Sequence, residues 1–198
     1  MKGLFIAFEG ANGVGKSTII KHVYDKLINQ GKDVYLTKEP STSEIGMFAR
    51  TMMEKISDKA NACLVAADRY NHVETDIMPK VEKGTIVLCD RNILSAFAYN
   101  KIDGVDFEYT DNLYNTLPYP DAILVFTASY ETIQSRLGER SELLRYEKEE
   151  KGKELDCLNQ AIEYIKQHKN VKFFEVSTET TIEETVKETY KIIEMLLN

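Results

Sequence analysis

The sequence predicts an α/β protein built on a parallel sheet with helices packed on its faces. Three observations carry that expectation. Five short apolar runs recur along the 198 residues, at Leu4–Phe8, Val34–Leu36, Ile86–Cys89, Ala122–Phe126 and Val171–Val176. They are continuous rather than alternating, as strands buried on both faces of a parallel sheet are. Helical periodicity fills the stretches between them, and a chain that alternates strand with helix folds in α/β layers.

Each element has its own signal. The first run ends at Glu9 and passes into a glycine-rich turn, Gly10 to Gly15. Ile20, Val23 and Leu27 then share one helical face before Gly31 stops that helix. A helical pattern runs from about Ala60 to Lys83, and Pro79 is expected to kink or break it because proline lacks the amide hydrogen. The third run is followed directly by Asp90-Arg91. At the C-terminus the capping box Thr181-x-x-Glu184 opens a helix whose apolar face is Ile182, Val186, Tyr190, Ile193 and Leu197. No repeat, low-complexity tract or Pro/Gly-rich linker divides the chain. Residues 1–198 are therefore expected to form one domain, long enough to bury its own core.

Composition narrows the function. A net charge of -7 argues against a nucleic-acid groove, which usually carries a basic stripe. Cys63, Cys89 and Cys157 form no C-x-x-C pair, so they suggest neither a zinc site nor a disulfide scaffold and read as small buried hydrophobes. His22, His72 and His168 have no ligand spacing either. The apolar start is too short for a signal peptide, and no segment approaches the roughly 20 apolar residues of a membrane span. The expectation is a cytoplasmic protein with no membrane partner.

The chemistry starts at Gly10-x-x-x-x-Gly15-Lys16-Ser17, which matches the phosphate-binding loop in its proper context, after a strand and before a helix. This makes the fold a P-loop NTPase-type three-layer structure, with a five-stranded parallel sheet flanked by helices. Glycines let the backbone wrap phosphate oxygens, and the helix N-terminus adds a positive end. Gly10, Ala11, Asn12, Gly13, Val14, Gly15, Lys16, Ser17 and Thr18 are the expected ATP-binding residues. Lys16 would reach the β- and γ-phosphates and Ser17 would hold magnesium. Motor ATPases on this loop are usually larger. Asp90 stands at the end of a buried strand, where a second magnesium-ordering carboxylate belongs. Arg91 beside it suits a bidentate clamp on an anionic acceptor. The charged run Glu139 to Glu154 fits either a solvated helical face with i,i+4 pairs or a lid that brings arginines to phosphate.

These residues, taken together with Thr37-Lys38-Glu39-Pro40, Ala66-Ala67-Asp68-Arg69, Ser95 and Ala98-Tyr99, resemble the thymidylate kinases in order and spacing. The resemblance implies transfer of the γ-phosphate of ATP to a deoxynucleoside monophosphate, with Mg2+, in a homodimer. It implies that Arg91 holds the acceptor phosphate, that Arg69 touches the base and phosphate region, and that Tyr99 packs on the sugar. Glu39, Pro40, Val65 and Ser95 complete the substrate positions. A helical lid is implied at about 138–152, with Arg136, Arg140 and Arg145 at the family's arginine positions. Gly13 in the loop makes the chain similar to the bacterial subtype, whose catalytic arginine comes from the lid.

Departures cluster at the base end. Val65 stands where the family usually stacks a phenylalanine on thymine, and Ala96 where a polar residue often meets the base. Asn12 replaces an acidic residue, Asn92 and Asn100 replace an aromatic and a glutamine, and Leu144 replaces an acidic residue in the lid. A lost aromatic stack costs about 1–3 kcal/mol, by analogy with stacking platforms for single-stranded nucleic acid. Two other readings fit the same residues. One is a kinase for another nucleotide or for a deoxynucleoside, which would need a carboxylate base such as Glu9 or Glu39. The other is a nucleotide-binding pseudoenzyme on the same fold.

Overall fold

The computed structural model describes residues 3–138 and 152–197. Its five strands are β1 (Leu4–Glu9), β2 (Val34–Lys38), β3 (Ile86–Asp90), β4 (Ala122–Thr127) and β5 (Lys172–Ser177). They lie in the order β2-β3-β1-β4-β5 and every pairing is parallel. Each apolar run of the sequence is the body of one strand. The register sets Phe8 beside Asp90 on one side and beside Leu124 on the other. Strands β1 and β3 therefore finish level, and the residues that follow them, Gly10 and Arg91, emerge together at the C-terminal edge of the sheet. That edge is where ligands bind in open α/β sheets.

Alternate strand residues sort to two faces, which gives the three layers. Ile6, Phe8, Leu88, Leu124 and Phe126 pack with α1 (Lys16–Asn29) and α9 (Ile182–Leu197). Phe5, Ala7, Val87, Ile123 and Val125 pack with α3 (Asp58–His72), α5 (Ile93–Ile102) and α8 (Lys153–His168). The short helices α2 (Glu44–Met52), α4 (Met78–Glu82), α6 (Phe107–Tyr114) and α7 (Tyr130–Gly138) complete the framework. Ile20, Val23 and Leu27 are buried as their spacing predicts, and Gly31, with φ of 74°, follows the end of α1. The capping box of α9 is formed in both directions: Glu184 N donates to Thr181 Oγ1, and Thr181 N donates to Glu184 Oε2, each at 3.2 Å.

Four expectations are corrected. The edge strands are not buried on both faces: β5 buries only Val176 fully and β2 only Val34, since an edge strand has one neighbour and less cover. The chain stays helical through Pro79, because a π-type stretch at Val73–Ile77 precedes it. Pro79 falls in the first turn of α4, where its missing amide needs no partner. Cys63 is exposed on α3, its Sγ 3.3 Å from Tyr109 Oη, while Cys89 and Cys157 are buried. Ile182 is also exposed, so the apolar face of α9 meets the core only from its second turn. The interior of the proposed lid lies outside the described residues.

Candidate active site

The loop after β1 is shaped by one close approach. Gly10 has φ of 136°, and a Cβ there would lie 2.3 Å from the Phe126 carbonyl oxygen, so only glycine fits. Gly15, with φ of 98°, turns the chain into α1, whose N-terminus points its free amides along the loop. Lys16 opens that helix and is buried; its Nζ donates to Gly10 O at 2.7 Å and to Ala11 O at 2.8 Å. Burial, with Arg91 nearby, pushes its ammonium down to about 7, although Asp90, Glu9 and Glu154 work the other way. Ser17 Oγ donates to Asp90 Oδ2 at 2.7 Å, which brings a hydroxyl and a carboxylate together at the surface. Hard oxygen donors of this kind fit magnesium, which takes one or two protein ligands plus waters and phosphate.

Arg91 adopts φ of 68°, the left-handed region that a side-chain-bearing residue seldom occupies. Several contacts hold it there. Its amide donates to Phe8 O at 2.9 Å, and its guanidinium reaches Gly10 O (3.3 Å), Ser95 Oγ (3.1 Å) and Asn12 Oδ1 (2.7 Å). Backbone strain held in this way marks a site where the side chain's direction matters. Lys16 and Arg91 thus share one acceptor, the Gly10 carbonyl, approached by both cations.

A cavity of about 500 Å³ extends from Arg91 and Ser95 to Val65 and Asn61. Asn12, Glu39, Pro40, Arg69, Ala96 and Tyr99 also line it. Each substrate-binding residue expected from the sequence therefore faces the same space. A second cavity, of about 420 Å³, opens on the other side of the loop among Ile133, Leu158 and Phe173. Neither Arg69 nor Arg91 borders it, and Lys166 is the one cationic residue in its lining.

Two carboxylates at the Arg91 end of this cavity, Glu39 and Glu9, are engaged, while Glu54 on its rim is exposed. Glu39 Oε2 pairs with Arg69, at 2.6 Å from Nε and 2.5 Å from Nη2. Its Oε1 accepts from Asn92 Nδ2 at 2.9 Å and lies 3.3 Å from His72 Nδ1. Glu9 Oε1 accepts from the amides of Asn92 (2.8 Å) and Ser95 (3.2 Å), and its Oε2 from Ser95 Oγ at 2.5 Å. Burial raises the Glu9 carboxyl, with the Ser95 hydroxyl and the Arg91 charge opposing. Neither carboxylate is open to take a proton from an incoming hydroxyl. Arg69 Nη1 is buried with no hydrogen-bond partner among the described residues.

Three residues to which sequence reasoning gave no site role adjoin these groups. His72 lies three positions after Arg69 on α3, and its ring bridges Glu39 to Thr37, with Nε2 at 2.8 Å from Thr37 Oγ1. The i+3 spacing to Arg69 was the available signal. Asp68 accepts from Ser41 N, Ser41 Oγ and Ser43 Oγ, fixing the turn that follows Glu39-Pro40. Glu154, in the first turn of α8, accepts from Asn12 and Tyr99. Asn12 lines the larger cavity as well as belonging to the loop. Arg136 donates to Val14 O at 3.1 Å and to Thr178 O at 2.8 Å, bracing the loop from α7. Arg140 and Arg145 lie outside the described residues.

Fold and site together define a P-loop nucleotide kinase, in which the glycine loop after β1 opens toward a cavity lined by Arg69 and Arg91. Comparison with known proteins narrows this. A family model described as thymidylate kinase matches residues 8–189, and the chain belongs to that family. It is 40% identical to a probable thymidylate kinase of Caldivirga maquilingensis over 73% of each chain. It is 38% identical to one from Pyrococcus abyssi over 75% of this chain and 76% of that protein. A thymidylate kinase of Caldicellulosiruptor saccharolyticus is 33% identical across this whole chain and 98% of its own length.

Proposed function

We propose that the protein transfers the γ-phosphoryl group of ATP to dTMP, forming ADP and dTDP. The single observation that carries this reading is the convergence of Lys16 and Arg91 on the Gly10 carbonyl. A phosphate chain in the loop and a second phosphate at Arg91 would meet end to end over that oxygen. Lys16 then serves the donor and Arg91 the acceptor, with Arg69 next along the cavity wall.

The acceptor phosphate brings its own ionised oxygen, which attacks the γ-phosphorus as the bond to the ADP oxygen breaks. No general base is required, which agrees with Glu9 and Glu39 being tied to neighbours. What the chain supplies is alignment and neutralisation of spreading negative charge. Ser17 and Asp90 are the residues that would hold Mg2+, which when bound supplies further charge at the β- and γ-phosphates. Arg140 and Arg145 stand as proposed donors of positive charge to the transferring group. An arginine in that role can be worth roughly 10³–10⁵ in rate.

We also place a homodimer contact on α2, where Ile45, Met47 and Phe48 expose apolar surface. A cytosolic location suits the cysteines, which form no disulfide; recovery in a secreted fraction would contradict it. No helix among the described residues is long and apolar enough to cross a membrane. The deciding experiment incubates the protein with ATP, Mg2+ and a panel of nucleosides and monophosphates, and identifies products by mass. Conversion of dTMP to dTDP, with thymidine untouched, is expected. Turnover confined to a nucleoside or to another monophosphate would replace this reading.

A further inference from the structure

His72 does not line the larger cavity, yet it touches the carboxylate that pins Arg69 there. It is buried on α3, three residues after Arg69. Its Nδ1 lies 3.3 Å from Glu39 Oε1, and its Nε2 lies 2.8 Å from Thr37 Oγ1. A carboxylate paired with an arginine can only accept, so Nδ1 carries a hydrogen and donates it to Glu39. Asp76 Oδ2 is 3.8 Å from Nε2, beyond hydrogen-bond reach, and is already bonded by the Tyr35 hydroxyl and by Lys80. One ring nitrogen thus meets strand β2, at Thr37, and the other meets the site.

Glu39 offers about four lone-pair positions over its two oxygens, and four donors meet them. Oε2 takes Arg69 Nε and Nη2, while Oε1 takes Asn92 Nδ2 at 2.9 Å and His72 Nδ1. The fork on Oε2 holds the guanidinium, and the two donors on Oε1 hold the plane of the carboxylate itself. Arg69 has little else to steady it. Its Nη1 is buried with no hydrogen-bond partner among the described residues, and its guanidinium carbon lies 4.6 Å from the centre of the Tyr114 ring. A carboxylate loosened at Oε1 therefore lets Arg69 turn on the cavity wall. We propose that His72 is a positioning residue, whose donation to Glu39 Oε1 keeps the Glu39–Arg69 pair in the orientation that the acceptor nucleotide meets. This rests on the proposed function, since it requires a nucleotide acceptor in the cavity that Arg69 lines. A His72 that only fastened α3 to β2 would act through Thr37 instead, and the two roles separate experimentally.

Asparagine places its amide nitrogen near the position of Nδ1, and glutamine places its amide near that of Nε2. His72→Asn therefore keeps a donor for Glu39, whereas His72→Gln keeps a partner for Thr37. The full chain, these two variants and His72→Ala are compared by steady-state kinetics, with dTMP and ATP each varied, and by melting temperature. Loss of a hydrogen bond to a charged group raises KM for dTMP by about 10-fold in His72→Ala and His72→Gln. In both, kcat and KM for ATP stay within about threefold of the full chain. His72→Asn returns KM for dTMP to within about threefold. The asparagine and glutamine variants decide by themselves if the alanine variant does not fold. Rescue by glutamine in place of asparagine, a loss shared equally by dTMP and ATP, or a lowered melting temperature with unchanged KM for dTMP would each overturn the proposal. A full chain inert toward dTMP while active on another monophosphate overturns the proposed function alone; the same variants are then compared on that acceptor, and the same outcomes decide the role of His72.

Discussion

Lys16 is buried beside Arg91, and the free enzyme holds its ammonium near pKa 7 rather than the ordinary 10.5. Between those values the unfolded chain keeps the proton and the folded one releases it. The free protein therefore gains stability from this group as pH rises through that window. Triphosphate in the loop reverses the balance, because negative charge next to the amine restores its proton. Nucleotide binding is thus expected to take up close to one proton at pH 8 and almost none at pH 6. Titration calorimetry in two buffers of different ionisation enthalpy measures this, and binding at pH 8 that is indifferent to the buffer would contradict it. The loop residues were legible in the sequence because the spacing from Gly10 to Ser17 is itself the geometry: backbone within one turn does the positioning. His72 and Glu154 were not, because their contacts to Glu39 and Asn12 span 33 and 142 residues. Nothing local separates Glu154 from the other acids of its run.

At the scale of elements, apolar runs located all five strands, since burial at the centre of a parallel sheet leaves little choice of residue. The same rule failed at β2 and β5, where only sheet order decides which strands are edges. Helix α2 illustrates a further limit. Its buried face is Gly46 and Ala49, while Met47 and Phe48 are 60% and 55% exposed. Periodicity marks the helix without saying what covers its outer face. If that face is the homodimer contact, the protein sediments as a dimer at micromolar concentration and Phe48→Asp sediments as a monomer. A charge buried at such a contact costs several kcal/mol unless it is paired. A wild-type monomer, or a variant that remains dimeric, would move the contact elsewhere.

Taken whole, the molecule uses its sheet to level two strand ends, so that one loop and one arginine open toward each other. That the loop and Arg91 open onto one space was readable from motif and order. The far end of the cavity was not, because Val65 and Ala96 reveal only what is absent, and the cavity they line forms from α3 and α5 packing together. The central claim is that Arg91 serves the acceptor and not the donor. Steady-state kinetics of Arg91→Ala with dTMP varied, alongside direct ATP binding, tests it most directly. Removing one preorganised charged donor from a reacting phosphate is expected to lower kcat/KM for dTMP by about 100- to 1,000-fold. ATP affinity is expected to stay within about twofold, since uniform loss of both ligands has no place in this geometry. An Arg91→Ala enzyme that keeps its dependence on dTMP and instead loses ATP would contradict the account.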